Sequence, residues 1–434
     1  MKSRSYFSVA YSFLALIAIG AVILATPFCR ANGQWGDWLS SLFTACSAVC
    51  VTGLSMVDIG SAFNIYGQIV LLILVEFGCL GLMMCGTFLL IAIGRRLSLS
   101  SEFSLMNAYG VEQVKGVKSL ICWVIGSMLA FETIGAGLLY LSLGNVYESI
   151  FFSVMGFCNA GFSLYPDSLL GFANQPAVVM VMALETILGS MGFMVLFNLF
   201  TFKFHRRSHL SLQTRVVLHM TILLLLVTWA AFLICEWGGT LGGMPLLKKL
   251  YISFYQAVTP RTCGFSIIPT ESVRPITRLI YQVMMFIGGA PGSAAAGVKV
   301  TTCAVLVYTL CALCRGDTET IIRKRVIPNE IVRESIVIFM AISTFIVVVT
   351  GILLVTEDGS HLSTDALVFE AVSAITTTGL SMGDTTASLS LAGKICIMVA
   401  MFIGRLGALS VVMMIGDREM IRHIRFPVEE LVVG

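Results

Sequence analysis

Four short segments of this chain repeat one pattern: small or apolar residues, a glycine, then Leu or Phe and Ser. They read Cys50-Val51-Thr52-Gly53-Leu54-Ser55, Cys158-Asn159-Ala160-Gly161-Phe162-Ser163, Arg261-Thr262-Cys263-Gly264-Phe265-Ser266 and Thr376-Thr377-Thr378-Gly379-Leu380-Ser381. The four glycines are 108, 103 and 115 residues apart, and each lies between strongly apolar stretches. Spacing of this kind marks one supersecondary unit used four times. Four matched glycine turns in a membrane protein can surround one axis and direct backbone carbonyls at it. That is how an ion is stripped of water and selected.

Composition supplies the membrane. Hydrophobic residues make up 57% of the chain and charged residues 12%, with a mean hydropathy of +0.93, too little charge to coat a soluble domain of this size. Eight apolar runs reach the ~20 residues that a bilayer core requires, near 8–28, 67–94, 119–143, 177–202, 216–237, 278–312, 332–356 and 391–416. The first follows Lys2 and Arg4, lacks a convincing cleavage site and is expected to be retained as the first helix. With eight crossings and both termini on one side, that side holds 18 of the 27 Lys and Arg residues. The positive-inside bias then places both termini in the cytoplasm. The third outer segment, with Lys248, Lys249, Arg261, Arg274 and Arg278, runs against the trend. The 13 cysteines are scattered, and Cys311-x-x-Cys314 has no second pair to complete a metal site, so they read as small apolar residues.

Between the crossings lie shorter amphipathic pieces near 38–51, 147–159, 249–262 and 366–377. About 12 helical residues rise only ~18 Å, half-way through a ~30 Å hydrocarbon core. Such a piece enters, stops and returns as extended chain, which is tolerated at that depth only where it is buried in protein or lines a cavity. Its C-terminal, partly negative end favours a cation. The expected fold is therefore an all-α polytopic membrane protein of eight transmembrane helices and four re-entrant pore loops around one central pore. The repeats are expected at 1–95, 96–203, 204–315 and 316–416, followed by a cytoplasmic tail at 417–434. The crossing after each turn carries a glycine pair at matched phase: Gly78 and Gly81, Gly189 and Gly192, Gly288 and Gly289 with Gly292, Gly404 and Gly407. Small residues at such spacing let helices approach closely. The overlong sixth run contains Gly288-Gly289-Ala290-Pro291-Gly292-Ser293, and then Gly297 and Lys299, where a helix break is expected.

With these motifs the chain resembles the potassium-translocating subunit of the bacterial Ktr/Trk uptake systems, closer to the shorter Ktr type. The likeness rests on the four glycine segments, on Phe286-Ile287-Gly288-Gly289-Ala290-Pro291-Gly292-Ser293 and on Phe402-Ile403-Gly404-Arg405-Leu406-Gly407. It implies a selectivity filter at Gly53, Gly161, Gly264 and Gly379, with Val51, Thr52, Asn159, Ala160, Thr262, Cys263, Thr377 and Thr378 supplying neighbouring carbonyls. Sodium-preferring members often carry Ser at the first filter glycine, so Gly53 implies K+ as the transported ion, with Na+ the narrower alternative. The resemblance also implies that the 288–299 stretch is an intramembrane gate loop, and that Arg405 stands beside it as a positive barrier in the conduction path. It implies a homodimer and a cytosolic nucleotide-binding RCK (KTN) regulatory subunit, with the C-terminal stretch 426–434 at the dimer interface, in a bacterial inner (plasma) membrane. No nucleic acid or organic cofactor is implied.

The remaining charged residues divide by position. Glu76, Glu132, Glu185 and Glu370 read as packing or hydrogen-bonded groups within the membrane. Asp58, Asp167, Asp384 and Glu357 are expected outside, where their field concentrates cations. No phosphate-binding loop, His-Glu-x-x-His or other catalytic constellation is present, which argues against an enzyme. A secondary transporter of an organic solute would show two halves with paired broken helices; four equivalent quarters favour a central pore.

Overall fold

The computed structural model describes residues 2–81, 117–204 and 210–407. Apart from a two-stranded hairpin, Ile321–Ile322 with Arg325–Val326, these residues are helices and connections. The helices longer than four residues are α1 (Lys2–Ala25), α2 (Trp38–Val49), α3 (Ile65–Leu80), α4 (Val117–Leu143), α5 (Val146–Phe157), α6 (Pro176–Ser190) and α7 (Phe193–Phe204). The chain continues with α8 (Leu212–Glu236), α9 (Leu246–Val258), α10 (Pro275–Phe286), α11 (Val300–Cys314), α12 (Asn329–Thr356), α13 (Thr364–Ile375) and α14 (Leu391–Leu406). One order of elements occurs four times. A long helix (α1, α4, α8, α12) leads to a short one (α2, α5, α9, α13), then to a glycine turn, then to a third helix (α3, α6, α10, α14).

Local chemistry fixes these boundaries. Asp37, Asn145 and Ser363 cap α2, α5 and α13 by accepting backbone N–H groups of the first turn, which satisfies donors a helix start leaves orphaned. Asn64 and Ser390 do the same for α3 and α14, while Pro176 and Pro275 open α6 and α10. The C-terminal ends of two long helices also clamp the third helix of their repeat. Glu236 accepts from Arg274 N at 2.8 Å and Thr277 Oγ1 at 2.6 Å, and Glu357 accepts from Ser390 N at 3.0 Å and Ser390 Oγ at 2.6 Å. Glu357 is 6% exposed; it is a buried helix cap rather than a charge at the mouth.

Among the described residues, three helices are unbroken and apolar enough to cross a membrane: α4, from Ile121, α8 and α12. Leu141, Ile234 and Val355, on these three helices, are 81%, 76% and 78% exposed, an apolar surface that water does not tolerate in such extent. The expected crossing at 177–202 is not continuous: α6 and α7 meet at an angle of 97°. The expected break in the sixth run is present, with non-helical chain between Phe286 and Val300. The expected crossings at 67–94 and 391–416 run, beyond 81 and 407, outside the described residues, as does the 417–434 tail. The short helices are buried on most sides; Phe43, Phe151, Tyr255 and Phe369 anchor α2, α5, α9 and α13 in a core shared by all four quarters.

Candidate functional site

The four short helices converge through their C-terminal ends. At α2, α5 and α13 the chain leaves the helix by one hydrogen-bond pattern. The N–H groups of Val51, Asn159 and Thr377 bond Ala48, Gly156 and Ala374 carbonyls, and those of Thr52, Ala160 and Thr378 bond Ser47, Met155 and Ser373 carbonyls. This is a Schellman ending, whose C′ residue must take a left-handed conformation. Glycine usually fills it; here Val51, Asn159 and Thr377 do, with φ of 54°, 57° and 48°. Pro260 has no N–H to continue α9, which stops at Val258, and Cys263 N bonds Thr259 O instead, yet Thr262 at the matched position still has φ 66°. Positive φ is costly for β-branched residues, and such strain, ~1–3 kcal/mol each, gathers where function demands a backbone shape.

Two residues later the glycines close a ring. Their φ values are 93°, 68°, 79° and 83° for Gly53, Gly161, Gly264 and Gly379. A Cβ on Gly53 would overlap the Ala160 carbonyl oxygen, and one on Gly379 the Thr52 carbonyl oxygen. A Cβ on Gly161 would stand 3.0 Å from the Cys263 oxygen, and one on Gly264 2.7 Å from the Thr378 oxygen. Each glycine thus faces the carbonyl before the next glycine, in the order first, second, third, fourth, first. Among the described residues no backbone N–H reaches the carbonyls of Thr52, Ala160, Cys263 or Thr378. The ring is an array of uncommitted carbonyl dipoles at the negative ends of four helices, a field that suits a cation.

Beyond the ring, a vestibule of ≈ 310 Å³ is lined by the residues just after the glycines. The motif serines brace its wall: Ser55 Oγ donates to Val57 O at 2.5 Å, Ser163 Oγ to Ser168 O at 3.0 Å, Ser381 Oγ to Glu370 Oε2 at 2.9 Å, and Ser266 Oγ to Ile268 O. Glu370 also accepts from Thr386 Oγ1, so it is a hydrogen-bonded packing group, as expected. Asp58 and Asp384 line the vestibule; Asp167 does not. Burial, then the hydrogen bond to Glu148, pushes the Tyr165 phenol at the vestibule wall up to about 12, so it stays neutral.

A second cavity of ≈ 260 Å³ is bordered by Gly78, Gly404, Arg405, Ser293, Gly297 and Lys299, among others. The 287–299 loop is held from several quarters. Val298 N bonds Phe286 O at 2.9 Å and Val300 N bonds Gly289 O at 3.0 Å, which closes the loop on itself. Ala290 N donates to Ser190 O at 2.9 Å, and Phe193 N donates to Gly292 O at 3.1 Å. The break between α6 and α7 is therefore the seat of the loop, which satisfies backbone groups that the bend frees. Arg405 Nη1 donates to Ala294 O at 2.5 Å, and its Nη2 reaches Gly78 O and, at 3.4 Å, Cys79 O. Lys299 Nζ donates to Ala295 O at 2.6 Å within the loop.

The glycine pairs divide their labour. Gly78, Gly189 and Gly404 pack against the Val49, Phe157 and Ile375 carbonyls at the ends of α2, α5 and α13. The second glycines, Gly81, Gly192, Gly292 and Gly407, all have positive φ (76°, 83°, 68° and 82°); three quarters leave the helix there, while Gly292 lies within a loop that begins after Phe286. Sequence reasoning recognised only the close packing. It also placed Arg261 among outer-loop charges, whereas Arg261 is 3% exposed behind the third turn, with Nη2 3.5 Å from Thr221 Oγ1.

Comparison with known proteins agrees with this arrangement. Residues 3–417 match the family described as TrkH: Cation transport protein. The chain is 35% identical to Ktr system potassium uptake protein B of Bacillus subtilis, over 98% of this chain and 96% of that one. It is 32% identical to the potassium/sodium uptake protein NtpJ of Enterococcus hirae, with the same coverage. The fold superposes on the potassium transporter TrkH of Vibrio parahaemolyticus with a TM-score of 0.75 at 17% identity, covering 95% of this chain and 85% of that one. These matches displace the organic-solute alternative, and the chain belongs to the TrkH cation transport family, among the Ktr-type potassium uptake proteins.

Proposed function

We propose that this chain is a potassium uptake pore of a bacterial inner membrane. In this reading its quarters, 1–95, 96–203, 204–315 and 316–416, supply eight crossings and four re-entrant helices, with both termini in the cytoplasm. K+ enters the vestibule, exchanges water for carbonyl oxygens at the glycine ring, passes the 288–299 loop beside Arg405, and moves inward down the membrane potential. The observation that carries this reading is the closed order of the ring, in which each glycine abuts a free carbonyl of the next quarter. Four dehydrated carbonyl dipoles replace the hydration shell of a monovalent ion. Gly53 favours K+; the E. hirae relative, a potassium/sodium uptake protein by name, keeps Na+ as the second reading. A cytosolic RCK subunit opening the loop, and a homodimer with one pore per chain, complete the proposal.

The test is growth rescue and rubidium uptake in a bacterium lacking its own potassium uptake systems, with a cognate regulatory subunit co-expressed. Rescue at low potassium that Gly53→Ser weakens or shifts toward sodium supports the reading. Well-inserted protein that carries no cation overturns it.

A further inference from the structure

Behind the second glycine turn, where α3, α4 and α5 meet, the fold gathers acidic and thiol side chains from two quarters. The ligand-capable atoms of Glu76, Glu132 and Cys158 all lie within 4.8 Å of one another. Cys158 Sγ stands 3.8 Å from Glu132 Oε1, and the Cys79 thiol adjoins that of Cys158. Glu132 and Cys158 are 5% and 0% exposed, whereas Glu76 is half-buried and gives the cluster an edge at the surface. The ion pair found among the described residues, Arg278 with Asp365, is elsewhere.

A further acidic group, Glu185, lies close to Glu132. Glu185 is 4% exposed, and its Oε1 accepts from Ser153 Oγ at 2.5 Å. That hydroxyl also lies 2.7 Å from the Glu132 carbonyl oxygen. Glu185 Oε2 is buried without a partner. Its carboxylate occupies the space left by Gly135, one helical turn from Glu132, and by Gly156, one turn from Ser153.

Buried carboxylates are paired or hold cations. The donor chemistry selects among cations. Hard ions such as Mg²⁺ and Ca²⁺ take shells of oxygen alone, whereas thiolate with carboxylate suits a four-coordinate, borderline-soft ion. We propose that Glu76, Glu132 and Cys158, with Glu185 linked to Glu132 through Ser153, form an intramembrane site for a divalent cation of the Zn²⁺ class. Binding displaces the Cys158 thiol proton to solvent and forms a metal–sulfur bond. This assigns one cysteine a role that sequence spacing did not suggest. Cys158 is the C-cap of α5, one residue before the left-handed Asn159, so metal on its sulfur restrains the second turn of the ring. The binding site stands independently of the pore reading; the effect on flux rests on it.

The experiment uses the purified full chain in detergent, stripped with chelator and titrated with Cd²⁺, whose bond to thiolate gives an ultraviolet charge-transfer band, and with Zn²⁺ counted by elemental analysis. One equivalent per chain is expected. Cys158→Ser abolishes the band, and Glu132→Gln and Glu185→Gln each weaken binding at least about tenfold. Cys396→Ser, outside the cluster, leaves it intact. If Cys158→Ser or Glu132→Gln fails to fold, Glu76→Gln at the surface edge carries the same test. In vesicles, micromolar Zn²⁺ slows rubidium uptake by wild type and not by Glu76→Gln. Metal binding unchanged in well-folded Glu76→Gln and Glu132→Gln overturns the site, as does a wild type that binds no metal while its uptake follows pH, the behaviour of carboxyls neutralised by protons. Binding without any cation flux upholds the site and sinks only the pore.

Discussion

At the glycine ring the four quarters do the same thing. Each presents a left-handed residue, a carbonyl and a glycine, and each glycine meets the next quarter's carbonyl. The second glycines share a positive φ, yet the chain around them differs from quarter to quarter. The second quarter bends through 97° into α7, while the third runs out as the 287–299 loop and seats itself in that bend. A ring that coordinates one ion needs equivalent contributions; a barrier that opens needs one movable part and fixed parts to hold it. One repeated unit keeps its backbone constant at the first glycine turn and varies it in the third helix, where the third quarter already leaves the helix at Phe286.

The comparison is broken most severely at the ring. Gly379→Ala and Gly53→Ala drive a Cβ into a neighbouring carbonyl, and should lower rubidium uptake on the order of a hundredfold, since ~3 kcal/mol of misfit is about two decades. Gly161→Ala, with 3.0 Å available, should lose clearly less; equal losses at all three would contradict the ring geometry. Next comes the loop seat. Arg405→Gln removes bonds to the Ala294 and Gly78 carbonyls and should raise basal flux several-fold without the regulatory subunit; unchanged leak would separate Arg405 from the barrier. Gly192→Ala places a Cβ 2.6 Å from the Pro291 oxygen, whereas Gly407→Ala meets nothing within 4 Å among the described residues. The first should alter gating, and the second should cost only the ~1–2 kcal/mol of a left-handed residue, read as a modest fall in melting temperature. The smallest effect tests the vestibule. Glu357→Gln should lower thermal stability by about 1–3 kcal/mol through the lost cap and leave the KM for rubidium unchanged. Asp384→Asn should raise that KM slightly, and only at low ionic strength.

How much of this was legible depended on whether the signal was local. The ring glycines were found because four turns of the same chemistry recur at the spacing of a repeat. The break before Val300 was found because Gly and Pro punctuate it. The break at Met191–Gly192 was not, since Leu188-Gly189-Ser190-Met191-Gly192-Phe193 has the composition of an ordinary apolar helix; what bends it is a loop a hundred residues away. Likewise Glu357 looked like a loop carboxylate because its partner, the start of α14, is a tertiary neighbour. Glu76 and Glu132 looked unrelated because their contact crosses from one quarter to the next.

The order of the ring also bears on how the protein is made. Gly379 closes on Thr52, so the last quarter must join the first before the circle exists. Synthesis runs from the N-terminus, and a nascent chain therefore carries three turns and an open gap while its final quarter is still in the ribosome. Insertion of that quarter completes the coordinating circle and brings Arg405 onto the loop together. If the ring is the ion path proposed above, a half-made chain ending before residue 376 should carry no ions at all, and the order in which the polypeptide is written would guard the membrane potential during biogenesis.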